Sequence, residues 1–173
     1  MANAEKNNPI RFDHCVILDL VEKNSRVLDL GCGEGELLDD CKTLAKTLQI
    51  PDSRIYFLGY QKDIPKYLSI SDVFIFTSLR EGLPRVIVEA SILKVPVVTF
   101  QVEGATEVLE NEKTGFIVPQ GDVNVLLSKT EELILNPGLR TFFGNGAHEF
   151  VIQHWDIGIM IEKLYKIYNR NTG

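Results

Sequence analysis

The chain has 173 residues, of which 45% are hydrophobic and 24% are charged, and its net charge is −6. These proportions are typical of a folded globular protein and exclude a disordered or fibrous chain. The acidic balance disfavours nucleic acid as a partner, because binding a phosphate backbone needs a basic face. The apolar runs are strand-sized, far short of the roughly 20 residues that span a bilayer, so no integral membrane segment is expected. Residues 1–9 contain no apolar signal-peptide core, which predicts a cytoplasmic protein.

Five short runs rich in β-branched and aromatic residues alternate with helix-sized segments. They are residues 26–30, 55–58, 73–76, 95–100 and 115–118. This alternation predicts βαβ units, and hence a parallel sheet covered by helices on both faces. We therefore expect a single α/β domain with a Rossmann-like, doubly wound parallel sheet.

Helix signals follow the last predicted strand. Asp122 is placed to cap a helix, and the Asn-Pro-Gly run at residues 136–138 predicts its end. A second helix is predicted over residues 139–144. The last helix, over residues 157–169, has an apolar face that is expected to pack on the core.

The segment at residues 78–90 contains two carboxylates, Glu81 and Glu89, separated by seven residues. On one helix this spacing turns through about 800°, so the two side chains would diverge. They converge only if Glu81 lies in a loop and Glu89 on the helix, and Gly82 and Pro84 favour that loop. Such a turn also forms an anion site at the carboxyl end of its strand. For an isolated pair of glutamates, a solvated helix face is the alternative interpretation.

This spacing and its flanking segments resemble the retaining GT-B glycosyltransferases (family 4-like, "glycosyl transferases group 1") over about residues 33–169. The resemblance implies a C-terminal domain that binds a UDP-, GDP- or ADP-sugar donor, with no required cofactor and no metal. It implies that Glu81 is the catalytic residue near the donor sugar and that Glu89 accepts hydroxyls of the ribose. Gly82 and Leu83 would approach the sugar and diphosphate through their backbone.

The chain departs from that family at its start. Family members bind the diphosphate with an Arg and a Lys in a Gly-rich segment upstream of the strand that corresponds to residues 26–30, and this segment is missing here. A separate N-terminal acceptor domain is missing too. We therefore expect a truncated donor-binding domain with little or no transfer activity alone, and whether the chain is itself an enzyme stays open.

Residues 11–37 instead resemble motif I of class I S-adenosylmethionine-dependent methyltransferases. The resemblance implies that Asp29 lies near the bound methionine moiety and that Gly31, Gly33 and Gly35 let the backbone approach the cofactor. It suggests a chimera, in which an entry segment at residues 1–37 joins a glycosyltransferase-like domain at residues 33–173 to form one fold.

Two alternatives to the glycosyltransferase interpretation remain. One is a methyltransferase-like protein that binds S-adenosylmethionine, although the acid that such a protein needs after its second strand is replaced here by Gln61 and Lys62. The other is a non-catalytic or engineered hybrid. If the two segments share a sheet, residues 26–30 must lie parallel to a strand of the glycosyltransferase-like part.

Overall fold

The computed structural model describes residues 27–29 and 36–170, and the chain divides into two compact units, Met1–Ile64 and Pro65–Gly173. In the first unit, β1 (Val27–Asp29) and β2 (Ile55–Phe57) pair in parallel, with Val27 opposite Ile55. This pairing confirms that the strand from the methyltransferase-like segment lies parallel to a strand of the glycosyltransferase-like part. Residues 33–35 of the predicted junction lie outside the described residues, so the junction stays a prediction.

Helix α1 (Glu36–Thr47) packs against β2 through a small apolar cluster. Cys41, Ala45 and Ile55 are buried, and Leu44 and Phe57 pack against the Ala45–Ile55 contact. Buried cysteine behaves as a small apolar side chain. A small apolar core thus joins α1 to β2 in the first unit.

The second unit contains the larger sheet, which consists of β3 (Phe74–Phe76), β4 (Val97–Phe100) and β5 (Phe116–Val118). The three strands are parallel and β4 lies between the other two. Helix α2 (Ile64–Leu68) precedes these strands. Further helices connect and follow them: α3 (Arg85–Ile92), α4 (Ala105–Val108), α5 (Val123–Leu135), α6 (Pro137–Trp155) and α7 (Ile157–Arg170).

All four residues of the central strand are buried. Successive side chains of a strand point to opposite faces of its sheet, so a strand buried throughout must be covered on both faces. Helices α3 and α5 both pack on β4. The parallel strands and the covering of both faces confirm the predicted Rossmann-like α/β fold.

The helix start at Asp122 is confirmed, because its Oδ1 accepts a hydrogen bond from the Val125 amide at 3.1 Å. The prediction for the next helix was wrong in extent, since α6 runs over 19 residues rather than ending at Gly144. Asn136 caps its start by accepting from the Leu139 amide at 3.0 Å. Gly144 does not end the helix because it serves packing: a Cβ there would lie 2.2 Å from the carbonyl oxygen of Lys94.

Replacing Gly144 with alanine should therefore destabilise the protein despite the higher helix propensity of alanine. The added methyl group has to displace backbone, and we expect a loss of about 1–3 kcal/mol in the free energy of unfolding. Urea denaturation followed by circular dichroism measures it. Gly138→Ala is the matched control in the same helix, where the new Cβ meets only Asn136 Oδ1 at 3.4 Å. Equal effects of the two substitutions would show that the Gly144 contact does not constrain α6.

Candidate functional site

The carboxyl ends of β3, β4 and β5 lie at one edge of the larger sheet. The segments that follow them, residues 77–84, 101–104 and 119–122, surround an open pocket of about 530 Å³. Residues 79–82, residues 101–103 and Gln120 line it. Open α/β sheets bind their ligands outside the carboxyl ends of the strands, so this pocket is the candidate functional site.

Glu81 lies in the first of these loops, as predicted, and its side chain is half-buried. The hydroxyl oxygen of Ser78 lies 2.9 Å from Glu81 Oε1 and 3.2 Å from the carbonyl oxygen of Arg80. A hydrogen bond from Ser78 orients the carboxylate, and each carboxylate oxygen has more than one acceptor position. Glu81 can thus accept further hydrogen bonds from a ligand in the pocket.

Glu89 lies on α3, so the predicted arrangement of one glutamate in the loop and one on the helix is confirmed. Its side chain is half-buried, but it does not line the pocket that contains Glu81. Leu83 is 39% exposed and also lies outside the pocket lining, whereas Gly82 is part of it. The sugar-binding, diphosphate-binding and ribose-binding roles of these residues stay predictions.

Helix α3 begins directly after the pocket loop. Its N-cap residue is Pro84, and no side chain among the described residues caps the helix there. In the first turn, the Ile87 amide donates to the carbonyl oxygen of Pro84 at 2.9 Å. The first amides of a helix have no partner within the helix ladder, and the start of a helix carries partial positive charge. These features suit an anionic group, as the strand-loop-helix pattern predicts.

Gly104 brings two of the pocket loops into backbone contact. Its φ is +81°, in the left-handed region that favours glycine. A Cβ at this position would lie 1.9 Å from the carbonyl oxygen of Gly82 and 3.2 Å from the Cα of Leu83. Gly104 is therefore required both by its turn and by close packing against the segment that precedes α3.

Three pocket residues were missed when the sequence alone was considered. Gln101, Glu103 and Gln120 line this pocket and also an adjoining one of about 470 Å³, which Thr106 completes. The side-chain amide of Gln120 donates a hydrogen bond to the carbonyl oxygen of Leu79. Each of these residues lies within three residues of the carboxyl end of β4 or β5, and that position was the signal that could have identified them.

Of the predicted methyltransferase-like site residues, only Asp29 lies within the described residues. Asp29 is the last residue of β1, while Gly31, Gly33 and Gly35 lie outside the described residues. Over the described ranges, the side chains form no group of three or more His, Cys, Asp or Glu residues able to hold a metal ion. None of the helices in those ranges is long and apolar enough to cross a membrane.

A parallel sheet with covered faces and a polar pocket at its carboxyl edge defines a ligand-binding α/β domain of the Rossmann type. The chain belongs to the family described as "Glycosyl transferases group 1", whose family model matches residues 16–150. The match begins within the segment that resembles the methyltransferase motif, and the chimera stays a prediction.

A known glycosyltransferase resembles the chain in sequence, and two solved structures resemble it in fold. The capsular polysaccharide biosynthesis glycosyltransferase CapM of Staphylococcus aureus is 32% identical over 146 residues, which cover 84% of this chain and 38% of CapM. A TarM mutant of S. aureus, solved with UDP and other ligands, superposes with a TM-score of 0.80 at 24% identity, covering 98% of this chain and 34% of that one.

HepE of Anabaena, solved with UDP-glucose, gives a TM-score of 0.79 at 23% identity and covers 90% of this chain and 44% of that one. At these identities the two structures support the fold alone. The chain spans less than half the length of each of these three relatives.

The contact at Gly104 can be tested against a glycine with the same backbone angle. Gly121 has a φ of +80°, and a Cβ there would meet nothing within 4 Å. Both Gly104→Ala and Gly121→Ala incur left-handed strain of about 1–2 kcal/mol. Gly104→Ala should lower the free energy of unfolding by about a further 1–3 kcal/mol, because it overpacks the Gly82 backbone. Chemical denaturation of both variants measures the difference, and equal losses would rule out a structural need for this contact.

Proposed function

We propose that this chain is the donor-binding domain of a retaining glycosyltransferase and binds a nucleotide sugar in the pocket at the carboxyl edge of β3, β4 and β5. The observation that carries the proposal is the position of Glu81. It lies in the loop between β3 and α3, lines the pocket, and belongs to a chain of the glycosyl transferases group 1 family. The UDP and UDP-glucose in the TarM and HepE structures support a nucleotide sugar as the class of ligand.

The chemistry of the pocket suits a sugar. Its lining includes the carboxylates of Glu81 and Glu103 and the amides of Gln101 and Gln120. Carboxylates accept hydrogen bonds from hydroxyl groups, and amides both donate and accept them. A hexose, whose hydroxyls do both, can satisfy these groups together. We infer that the sugar lies among them, with Glu81 nearest the reacting carbon.

The diphosphate needs a different environment, because two carboxylates in the pocket would repel it. We propose that it lies against the backbone of Gly82 and Leu83 and the first turn of α3, where amides and the helix dipole favour negative charge. Arg80 lines the pocket, and Arg85 is the first residue of α3. The ribose would then extend along α3 to Glu89, which is why Glu89 acts from outside the sugar pocket.

In the transfer reaction, the bond between the anomeric carbon and the diphosphate oxygen breaks, and an acceptor hydroxyl forms the new glycosidic bond while it loses its proton. The nucleoside diphosphate leaves with the bonding electrons. The domain described here supplies donor binding and orientation, which is a large share of such catalysis. We propose that the acceptor is bound by a separate domain, consistent with the share of each relative that the chain spans.

Calorimetric titration of the protein with UDP, GDP, ADP and S-adenosylhomocysteine tests the proposal. We expect binding of one or more of the nucleoside diphosphates and none of S-adenosylhomocysteine. Binding of S-adenosylhomocysteine alone would favour the methyltransferase alternative. Binding of none of the four would favour the non-catalytic hybrid and contradict the donor-binding proposal.

The ribose role predicts that Glu89→Gln weakens binding of the preferred nucleoside diphosphate by about 1–3 kcal/mol, because a charge-assisted hydrogen bond is replaced by a neutral one. Glu131→Gln is the matched control, since it removes the same charge from an exposed position on α5. Titration of both variants measures the difference. If the two affinities are equal in folded proteins, Glu89 does not bind the ribose.

A further inference from the structure

Gln120 connects two pocket loops that are distant in sequence. It lies two residues after the end of β5, and its side-chain amide donates a hydrogen bond to the carbonyl oxygen of Leu79, 41 positions earlier in the chain. Leu79 follows β3 and precedes Glu81 by two residues. Because β4 lies between β3 and β5, this bond crosses the carboxyl edge over the central strand.

Most of the loop that Gln120 holds is exposed, although Pro84 at its end is buried. Leu79, Arg80, Gly82 and Leu83 are exposed, and Glu81 is half-buried. The hydrogen bond from Ser78 to Glu81 is local to the loop, since the two residues are three apart. Contacts from elsewhere in the fold come from Gly104, which packs on Gly82, and from Gln120, which holds Leu79. Glu81 thus lies between Leu79 and Gly82, the two loop residues that these contacts hold.

We propose that Gln120 is a positioning residue, which fixes the backbone before Glu81 so that its carboxylate meets the donor sugar. This inference rests on the proposed function, because it assigns the sugar to the pocket that contains Glu81. Gln120 lines the same pocket, and only its amide nitrogen is used by Leu79. Its carbonyl oxygen is an acceptor that a sugar hydroxyl can reach.

A positioning role for Gln120 and a general stabilisation of the protein predict different effects on ligand binding. If Gln120 orients the loop that meets the sugar, its loss should affect the sugar part of the ligand more than the nucleotide part. UDP-glucose and UDP are therefore the paired probes. Binding of UDP depends on the α3 end of the site, whereas UDP-glucose also needs a correctly placed Glu81.

Two substitutions isolate the hydrogen bond. Gln120→Glu keeps the size and shape of the side chain but replaces its donor with an acceptor, and Gln120→Ala removes the side chain beyond Cβ. Gln153→Ala is the matched control, because Gln153 is an exposed glutamine on α6, outside the pocket lining. Hydrogen–deuterium exchange and titration are measured on each folded protein.

In both Gln120 variants we expect faster exchange confined to residues 78–84 and a loss in affinity for UDP-glucose of about tenfold, with a change for UDP below about threefold. Gln153→Ala should change neither. Unaltered exchange at residues 78–84, or a uniform increase over the chain, would overturn the positioning role. Equal losses for UDP and UDP-glucose would overturn its link to the sugar. If the wild-type protein binds neither probe, the proposed function fails, and the exchange measurement alone decides whether Gln120 positions the loop.

Discussion

The burial of β4 on both faces is the constraint on which the second unit depends. Val97 and Val98 are inaccessible to solvent, and Phe100 is 1% exposed. Such a strand cannot lie at an edge, so it must pair on both sides and be covered by helices on both faces. The parallel pairing with β3 and β5 brings three carboxyl ends to one edge. The strand topology therefore determines where the pocket lies.

Two contacts to backbone carbonyl groups help to assemble this pocket. Gly104 touches the carbonyl oxygen of Gly82, and Gln120 donates to the carbonyl oxygen of Leu79. Both contacts converge on the loop that contains Glu81. Backbone groups are present whatever the residue, so such contacts fix the loop while its exposed side chains remain free to vary. The side chains of this loop can therefore change without altering the contacts that hold its backbone.

The sequence predicted the strands and the placement of the paired glutamates well, because both depend on local signals. Apolar runs of strand length identified all five strands, and Gly82 with Pro84 indicated the loop that holds Glu81. The extent of α6 was not predicted, because glycine has a low helix propensity and Gly144 lies in the interior of this helix. The role of Gly144 is a tertiary contact with Lys94, which lies fifty residues earlier. The contribution of Gln120 was missed for the same reason, since its partner lies across the sheet.

Helix α6 contacts two of the helices that follow the pocket loops. The ring nitrogen Nδ1 of His148 lies 2.8 Å from the carbonyl oxygen of Ile92, at the carboxyl end of α3. The indole of Trp155 donates to the carbonyl oxygen of Glu107, near the carboxyl end of α4, at 3.1 Å. Two of the three helices that follow the pocket loops are thus contacted by α6 at or near their carboxyl ends. These contacts act together with those of Gly104 and Gln120, so the loops before α3 and α4 are held both directly and through the helices that follow them.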